Sequence, residues 1–226
     1  MYSKIKLDYE EKKKLNNELT LSQYFENEKY LERDWYGEFS VVKKHLKPIM
    51  KNLKKDSTIL ILGAGLSTLP VDIYKMGYKN IVCTDISQSL CEMMKEYSIE
   101  VLGENSIQYI LQDMRNMEST FAENSFDIVI DKATLDSLYM EEDAESYEEG
   151  IVDKGIENVR TVQHQVIRIL KPKRKWVVFS QYDYSLEPET EEESKDDLIS
   201  FDTHNCSKIS ITHDDEESLF VYVLTK

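Results

Sequence analysis

Short apolar runs that end at glycine or at an acid alternate along this chain with longer stretches whose apolar positions recur at helical spacing. The clearest run is Ile59-Leu60-Ile61-Leu62, which stops at Gly63-Ala64-Gly65. It is too short for a helix and suits a strand buried on both faces of a parallel sheet. Residues 66–76 then read as a helix whose N-terminus faces whatever the glycine turn faces. A second run at 80–84 reads as a strand that delivers Asp85 at its C-terminal end. Ser87 has the chemistry of an N-cap for a helix to about residue 97. Residues 106–111 form the third predicted strand, ending at Gln112-Asp113-Met114. Asn124-Ser125 is a turn, and Phe126-Asp127-Ile128-Val129-Ile130 is the fourth strand, ending at Asp131-Lys132.

Residues 147–170 are mostly helical in pattern, with Gly150 and Gly155 weakening the start. Lys171-Pro172-Lys173 is the predicted terminator, and 176–181 the fifth strand. Residues 207–212 and 218–224 alternate in the manner of strands around the acidic turn 214–217. Upstream, 1–19 is charged and of mixed sign and reads as a frayed helix or an unstructured tail. Residues 21–31 carry Tyr24, Phe25 and Tyr30, and 41–53 is an amphipathic helix. Alternating strands and helices imply parallel pairing with right-handed crossovers. The expectation is an α/β fold with a doubly wound, mostly parallel sheet and a C-terminal antiparallel hairpin. It reads as one domain over 1–226, with 1–20 a charged N-terminal extension and 183–206 an acidic insert or loop.

Gly63 and Gly65 let the chain turn sharply and leave no side chain between backbone and ligand. An acid about 20 residues later, at the end of the next strand, can accept hydrogen bonds from a ribose diol. The pattern therefore points to a nucleoside-containing cofactor. A dinucleotide fingerprint requires a third glycine where this chain has Thr68, and a pyrophosphate needs backbone N–H donors at the helix start. A G-x-G loop alone suits S-adenosyl-L-methionine, whose linker is a cationic sulfonium. The plain alternative is another α/β protein with a tight first turn.

Charge narrows the partners. The chain has 226 residues, with 28 basic and 43 acidic side chains and a net charge of −15. Phosphate contacts need clustered Lys and Arg, so direct nucleic-acid binding is not expected. A basic protein segment is a better electrostatic match, although acidity also serves solubility. Cys83, Cys91 and Cys206 have no metal-ligand spacing, and His45, His164, His204 and His213 have no partner spacing, so no metal site is predicted. No run is apolar enough for a membrane span, and 1–17 lacks the apolar stretch of a signal peptide, which makes a reduced, cytoplasmic location the default expectation.

Two local motifs add to this. Asp34-Trp35-Tyr36-Gly37-Glu38-Phe39-Ser40 precedes the first strand, and Asp131-Lys132-Ala133-Thr134-Leu135-Asp136-Ser137-Leu138 follows the fourth. Together with the glycine turn, the ribose acid and the terminal hairpin, they resemble the class I S-adenosylmethionine-dependent methyltransferases with a Rossmann-like seven-stranded sheet. Within these they resemble the methyltransferase-like group that includes the elongation factor 1-alpha lysine methyltransferases. The resemblance covers roughly residues 21–181. It implies that Gly63, Ala64 and Gly65 line the methionine moiety and that Asp85 takes the ribose hydroxyls, with Ile86 and Ser87 beside it. It also implies that Asp113 accepts from the adenine amino group, that Met114 borders the ring, and that Lys132 sits at the cofactor edge. Tyr30 and Trp35 would close over the cofactor. The group's Y-W-[DN]-x-R-Y segment corresponds here to Tyr24-Phe25-Glu26-Asn27-Glu28-Lys29-Tyr30, so one aromatic is displaced or absent. Each position also has a structural reading: Asp113 as a helix cap, Trp35 and Tyr30 as core, Lys132 as a turn lysine.

The implied reaction is in-line displacement at a sulfonium methyl, with the nucleophile held roughly 3 Å away. A lysine acceptor must be neutral, and a free lysine has a pKa of about 10.4. Asp131 and Asp136 are candidates for orienting the amine, or structural caps. The fourth strand lacks the [DN]-P-P-[YF] loop of methyltransferases acting on bases or glutamine. The reading is a protein-lysine methyltransferase whose partner is a protein with a basic or lysine-bearing segment. Alternatives are a small-molecule methyltransferase and a non-catalytic interaction module. An aminopropyltransferase would need an acid pair that the sequence does not offer.

Overall fold

The computed structural model describes residues 2–30, 39–104, 106–140, 151–182, 206–212 and 218–226. Trp35, the acidic stretch 183–197 and the turn 214–217 lie outside these residues. The fold is α/β, with a seven-stranded, mostly parallel sheet whose C-terminal strands run antiparallel. The chain forms two compact units, Met1–Asp113 and Met114–Lys226.

The first unit holds β1 (Thr58–Leu62), β2 (Asn80–Asp85) and β3 (Gln108–Leu111), paired in parallel with β2 in the middle. Ile59 to Leu62 are all buried, as the unbroken apolar run requires. Its helices are α1 (Tyr2–Leu15), α2 (Leu21–Asn27), α3 (Phe39–Met50), α4 (Leu69–Lys75) and α5 (Gln88–Leu102). Ser87 caps α5, accepting from the Leu90 N–H. The helix runs five residues past its predicted end because Ile99 and Leu102 continue the turn until Gly103, at φ 95°, stops it.

The charged N-terminus is helical over Tyr2–Leu15, and the reason is tertiary. Tyr9 and Tyr24 are 3% and 1% exposed and pack ring to ring at 5.2 Å, and Tyr24 donates to Asp8 Oδ2 at 2.7 Å. Lys6 pairs with Glu92 and Lys13 with Glu96 of α5. Exposed ion pairs contribute little, so the buried aromatics are what anchor α1. Glu100 of α5 accepts from the Leu21 and Ser22 N–H groups and so caps α2 from another element. Thr20 and Gln23 complete a capping box.

The second unit holds β4 (Phe126–Lys132), β5 (Leu170–Ser180), β6 (Cys206–Thr212) and β7 (Ser218–Thr225), with α6 (Thr134–Tyr139) and α7 (Ile151–Ile169). β4 and β5 are parallel, and β7 lies antiparallel between β5 and β6. β5 begins at Leu170, so the predicted terminator Lys171-Pro172-Lys173 lies inside a strand. The register jumps from Phe126↔Leu170 to Ile128↔Lys175, and Lys173 takes φ 61°. A bulge admits a proline because it frees that residue from the ladder. Here Lys226 completes the pairing instead: Lys173 donates to its carbonyl at 2.7 Å, and its N–H donates to Arg174 O at 3.0 Å.

Candidate active site

The glycine turn is locked from below. Gly63 and Gly65 take φ 51° and 54°, the left-handed region that disfavours side chains. The Ala64 N–H donates to Thr84 O at 2.9 Å, tying the turn to β2. Ser67 N–H closes back on Ala64 O at 3.1 Å. This closure delays the next helix: α4 starts at Leu69, three residues after the predicted start at 66. A Cβ built on Gly65 would meet only Gly63 O, at 3.9 Å, so the space over the turn is open.

Asp85 stands at the end of β2, as its spacing predicts. Its Oδ2 accepts from the Gly65 N–H at 3.0 Å and its Oδ1 from the Ser87 N–H at 2.9 Å. A carboxylate offers about four acceptor positions, so these two bonds orient the group and leave capacity for a diol. Ile86 is 71% exposed and Leu111, paired with Asp85 across β3, is 53% exposed. They flank the carboxylate with apolar surface of the kind a planar base can rest on. Asp113 follows β3 and is half-buried, and its carbonyl accepts from Gln112 Nε2. An open glycine cradle, an oriented carboxylate and two exposed aliphatic side chains at one edge fit a nucleoside-bearing cofactor. Tyr30 packs on Tyr24 and Phe25, with ring centroids 5.7 and 6.2 Å away. This places it in the N-terminal aromatic cluster.

In the second unit Met114 and Lys132 are buried, at 4% and 8% exposure. Lys132 ends β4. Ala133 then takes φ 66° and leads into α6, donating to Phe179 O at 3.0 Å. Asp131 is fully buried. Its Oδ1 accepts from the Thr134 and Leu135 N–H groups at 3.2 Å each, and its Oδ2 has no partner among the described residues. Burial pushes its carboxyl up to about 8, against the pull of the Leu135 N–H and with a further push from Asp136. Burial thus favours the protonated form, against the two N–H groups by which the carboxyl caps α6.

Asp136 is 3% exposed. Its Oδ1 accepts from Ser180 Oγ at 2.6 Å and its Oδ2 from the Gln181 N–H at 3.0 Å. Both candidate acids are thus engaged by their own chain. Tyr139 and Tyr182, whose rings meet at 5.0 Å at the end of α6 and just past β5, belong to no motif in the sequence. The available signal was an aromatic three residues after Asp136 and another just past the fifth strand.

The family model described as Methyltransferase domain matches residues 53–222. The chain belongs to the methyltransferase domain family. This methyltransferase is similar to human eEF1A lysine and N-terminal methyltransferase, with 32% identity over 133 residues, which are 57% of this chain and 17% of the human protein. It is also similar to bovine EEF1A lysine methyltransferase 4, with 28% identity over 145 residues, 64% of this chain and 52% of that protein. The chain thus spans a small part of the first relative and about half of the second. Among solved structures, N-methyltransferase NodS from Bradyrhizobium japonicum aligns with a TM-score of 0.58 at 13% identity, covering 86% of this chain and 89% of that one. Magnesium protoporphyrin IX methyltransferase from Synechocystis aligns with a TM-score of 0.54 at 13% identity, covering 83% and 79%. At such identities the likeness shows the fold alone. Among the described residues no helix is long and apolar enough to cross a membrane.

Proposed function

We propose that this methyltransferase acts on a protein amine, a lysine side chain of a translation factor such as elongation factor 1-alpha. The cofactor is S-adenosyl-L-methionine, which supplies a sulfonium methyl open to in-line attack. The observation that carries the cofactor assignment is the Asp85 carboxylate, held by Gly65 and Ser87 beside an open glycine turn. In this reading Asp85 accepts from the ribose diol and Gly63-Ala64-Gly65 present backbone to the amino-acid tail. Ile86 borders the base, and Asp113 accepts from its amino group. The same reading gives Tyr30 and Trp35 the role of closing over the cofactor.

The protein-amine part is supported by the two sequence motifs and by the names of the curated relatives. The net charge of −15 favours capture of a basic segment. The match over 53–222 runs through both units and supports reading the chain as one methyltransferase domain. Two measurements test the function. Calorimetric titration should show binding of S-adenosyl-L-methionine and S-adenosyl-L-homocysteine and none of NAD. Labelled methyl should then pass to purified elongation factor 1-alpha and map to lysine. Binding without transfer to protein, and with transfer to small amines, would move the assignment to a small-molecule methyltransferase. Absence of adenosyl-ligand binding would leave an interaction module.

A further inference from the structure

β4 and β5 run out side by side as a parallel pair, with Lys132 opposite Phe179. Ligands in open α/β sheets are received beyond the carboxyl ends of the strands. Tyr139, the last residue of α6, and Tyr182, two residues past β5, stand there. Their rings are half-buried, 5.0 Å apart and tilted by 60°.

Backbone contacts tie both tyrosines to neighbouring elements. The Tyr182 N–H donates to Ser180 Oγ at 2.8 Å, and its carbonyl accepts from the Tyr222 hydroxyl at 3.2 Å. On the other side, α7 presses against the end of α6 so closely that a Cβ on Gly155 would lie 2.3 Å from Tyr139 O. Asn158 Nδ2 donates to Leu138 O at 3.3 Å. Asp136 joins the two sides, because it belongs to α6 and accepts from both Ser180 and Gln181 of the β5 end.

We infer that Tyr139 and Tyr182 form the wall that receives the amine-bearing side chain of the methyl acceptor, with Asp136 as the positioning residue that sets the two rings relative to each other. The substrate class rests on the protein-amine reading above. An ammonium is attracted to aromatic faces, and the ring bodies remove water from an aliphatic stem, which favours the neutral, nucleophilic amine. Asp136 is 3% exposed, and its two oxygens accept from Ser180 Oγ and the Gln181 N–H. It is placed as a brace between α6 and the end of β5 and not as an open counter-ion at the rings, and the amine loses its proton to solvent before transfer.

The test uses the full chain labelled with 3-fluorotyrosine and saturated with S-adenosyl-L-homocysteine. Tyr139→Phe and Tyr182→Phe assign the two fluorine resonances among those of the 14 tyrosines. Titration with N-acetyl-lysine methylamide should shift both resonances. In Asp136→Asn, which retains the shape but puts an amide donor against Ser180 or Gln181, both should broaden or split even without the probe. With elongation factor 1-alpha as acceptor, Tyr182→Leu should raise KM at least tenfold while S-adenosyl-L-methionine affinity stays within twofold, and Tyr182→Phe should restore KM. Unshifted Tyr139 and Tyr182 resonances, or an unchanged KM in Tyr182→Leu, overturn the wall. If no protein amine is methylated, the functional reading fails and the fluorine titration alone decides the wall.

Discussion

Replacing Gly155 with alanine sets helix propensity against packing. Gly155 lies inside α7, where alanine is favoured over glycine by about 1 kcal/mol. The added methyl would stand 2.3 Å from the Tyr139 carbonyl oxygen, 3.2 Å from its carbonyl carbon and 3.4 Å from its Cα. Favourable separations begin at about 3.5 Å between carbon atoms, so the helices must part by roughly 1 Å. Every near atom is backbone, and no rotamer change can absorb the overlap. Overpacking of this kind costs about 1–3 kcal/mol. Separation also lengthens the Asn158–Leu138 hydrogen bond, worth about 1 kcal/mol net. Packing outweighs propensity, and the variant should lose about 1–3 kcal/mol. Urea unfolding followed by far-ultraviolet circular dichroism reads this as a lower midpoint at constant slope. A midpoint that is unchanged or higher would refute the close α6–α7 approach.

Asp131→Asn should change how stability depends on pH. The folded carboxyl is pushed up to about 8, whereas an unfolded aspartate has a pKa of about 3.9. Between those values the folded state keeps a proton that the unfolded state has lost. The stabilising contribution is therefore full below about pH 4 and falls as pH rises to about 8, by at most about 1.4 kcal/mol per pH unit. Between about pH 5 and about pH 8 the urea midpoint of the Asp131→Asn variant should rise relative to that of the unmodified chain, and a constant difference between the two proteins would exclude the buried acid. Asp85→Ala removes the carboxylate that orients Gly65 and Ser87. With the two charge-assisted bonds that the carboxylate would accept from a ribose diol lost, S-adenosyl-L-methionine affinity should fall by about a hundredfold or more in a folded protein; calorimetry showing unchanged affinity would remove Asp85 from the site. Glu100→Ala deprives the start of α2 of three bonds, from Leu21 N–H, Ser22 N–H and Ser22 Oγ. The loss of about 1–2 kcal/mol should appear in hydrogen exchange as faster exchange over residues 2–27, with β1 and β2 unaffected; uniform protection would contradict it.

Strands β1, β2 and β4, the turn at Gly63-Ala64-Gly65, the cap at Ser87 and the placing of Asp85 were legible in the sequence. Each depends on chemistry within a few residues: a buried apolar run, a positive φ, a hydroxyl beside free N–H groups. α4 starts later than the apolar pattern implies because a single bond from Ser67 to Ala64 extends the turn. The helicity of the N-terminus, the passage of β5 through Pro172 and the insertion of β7 beside β5 depend on partners far away in the chain. Tyr24, Lys226 and the β5 edge meet their partners only in the folded protein. The same division holds at the candidate site. Sequence spacing placed two acids after the fourth strand but could not assign their states. Burial raises the Asp131 carboxyl above its ordinary range, and Ser180 and Gln181, more than forty residues away, make Asp136 a brace. A residue's local conformation follows from its own dihedral preferences and near neighbours, whereas its dielectric surroundings and hydrogen-bond partners are set by long-range packing.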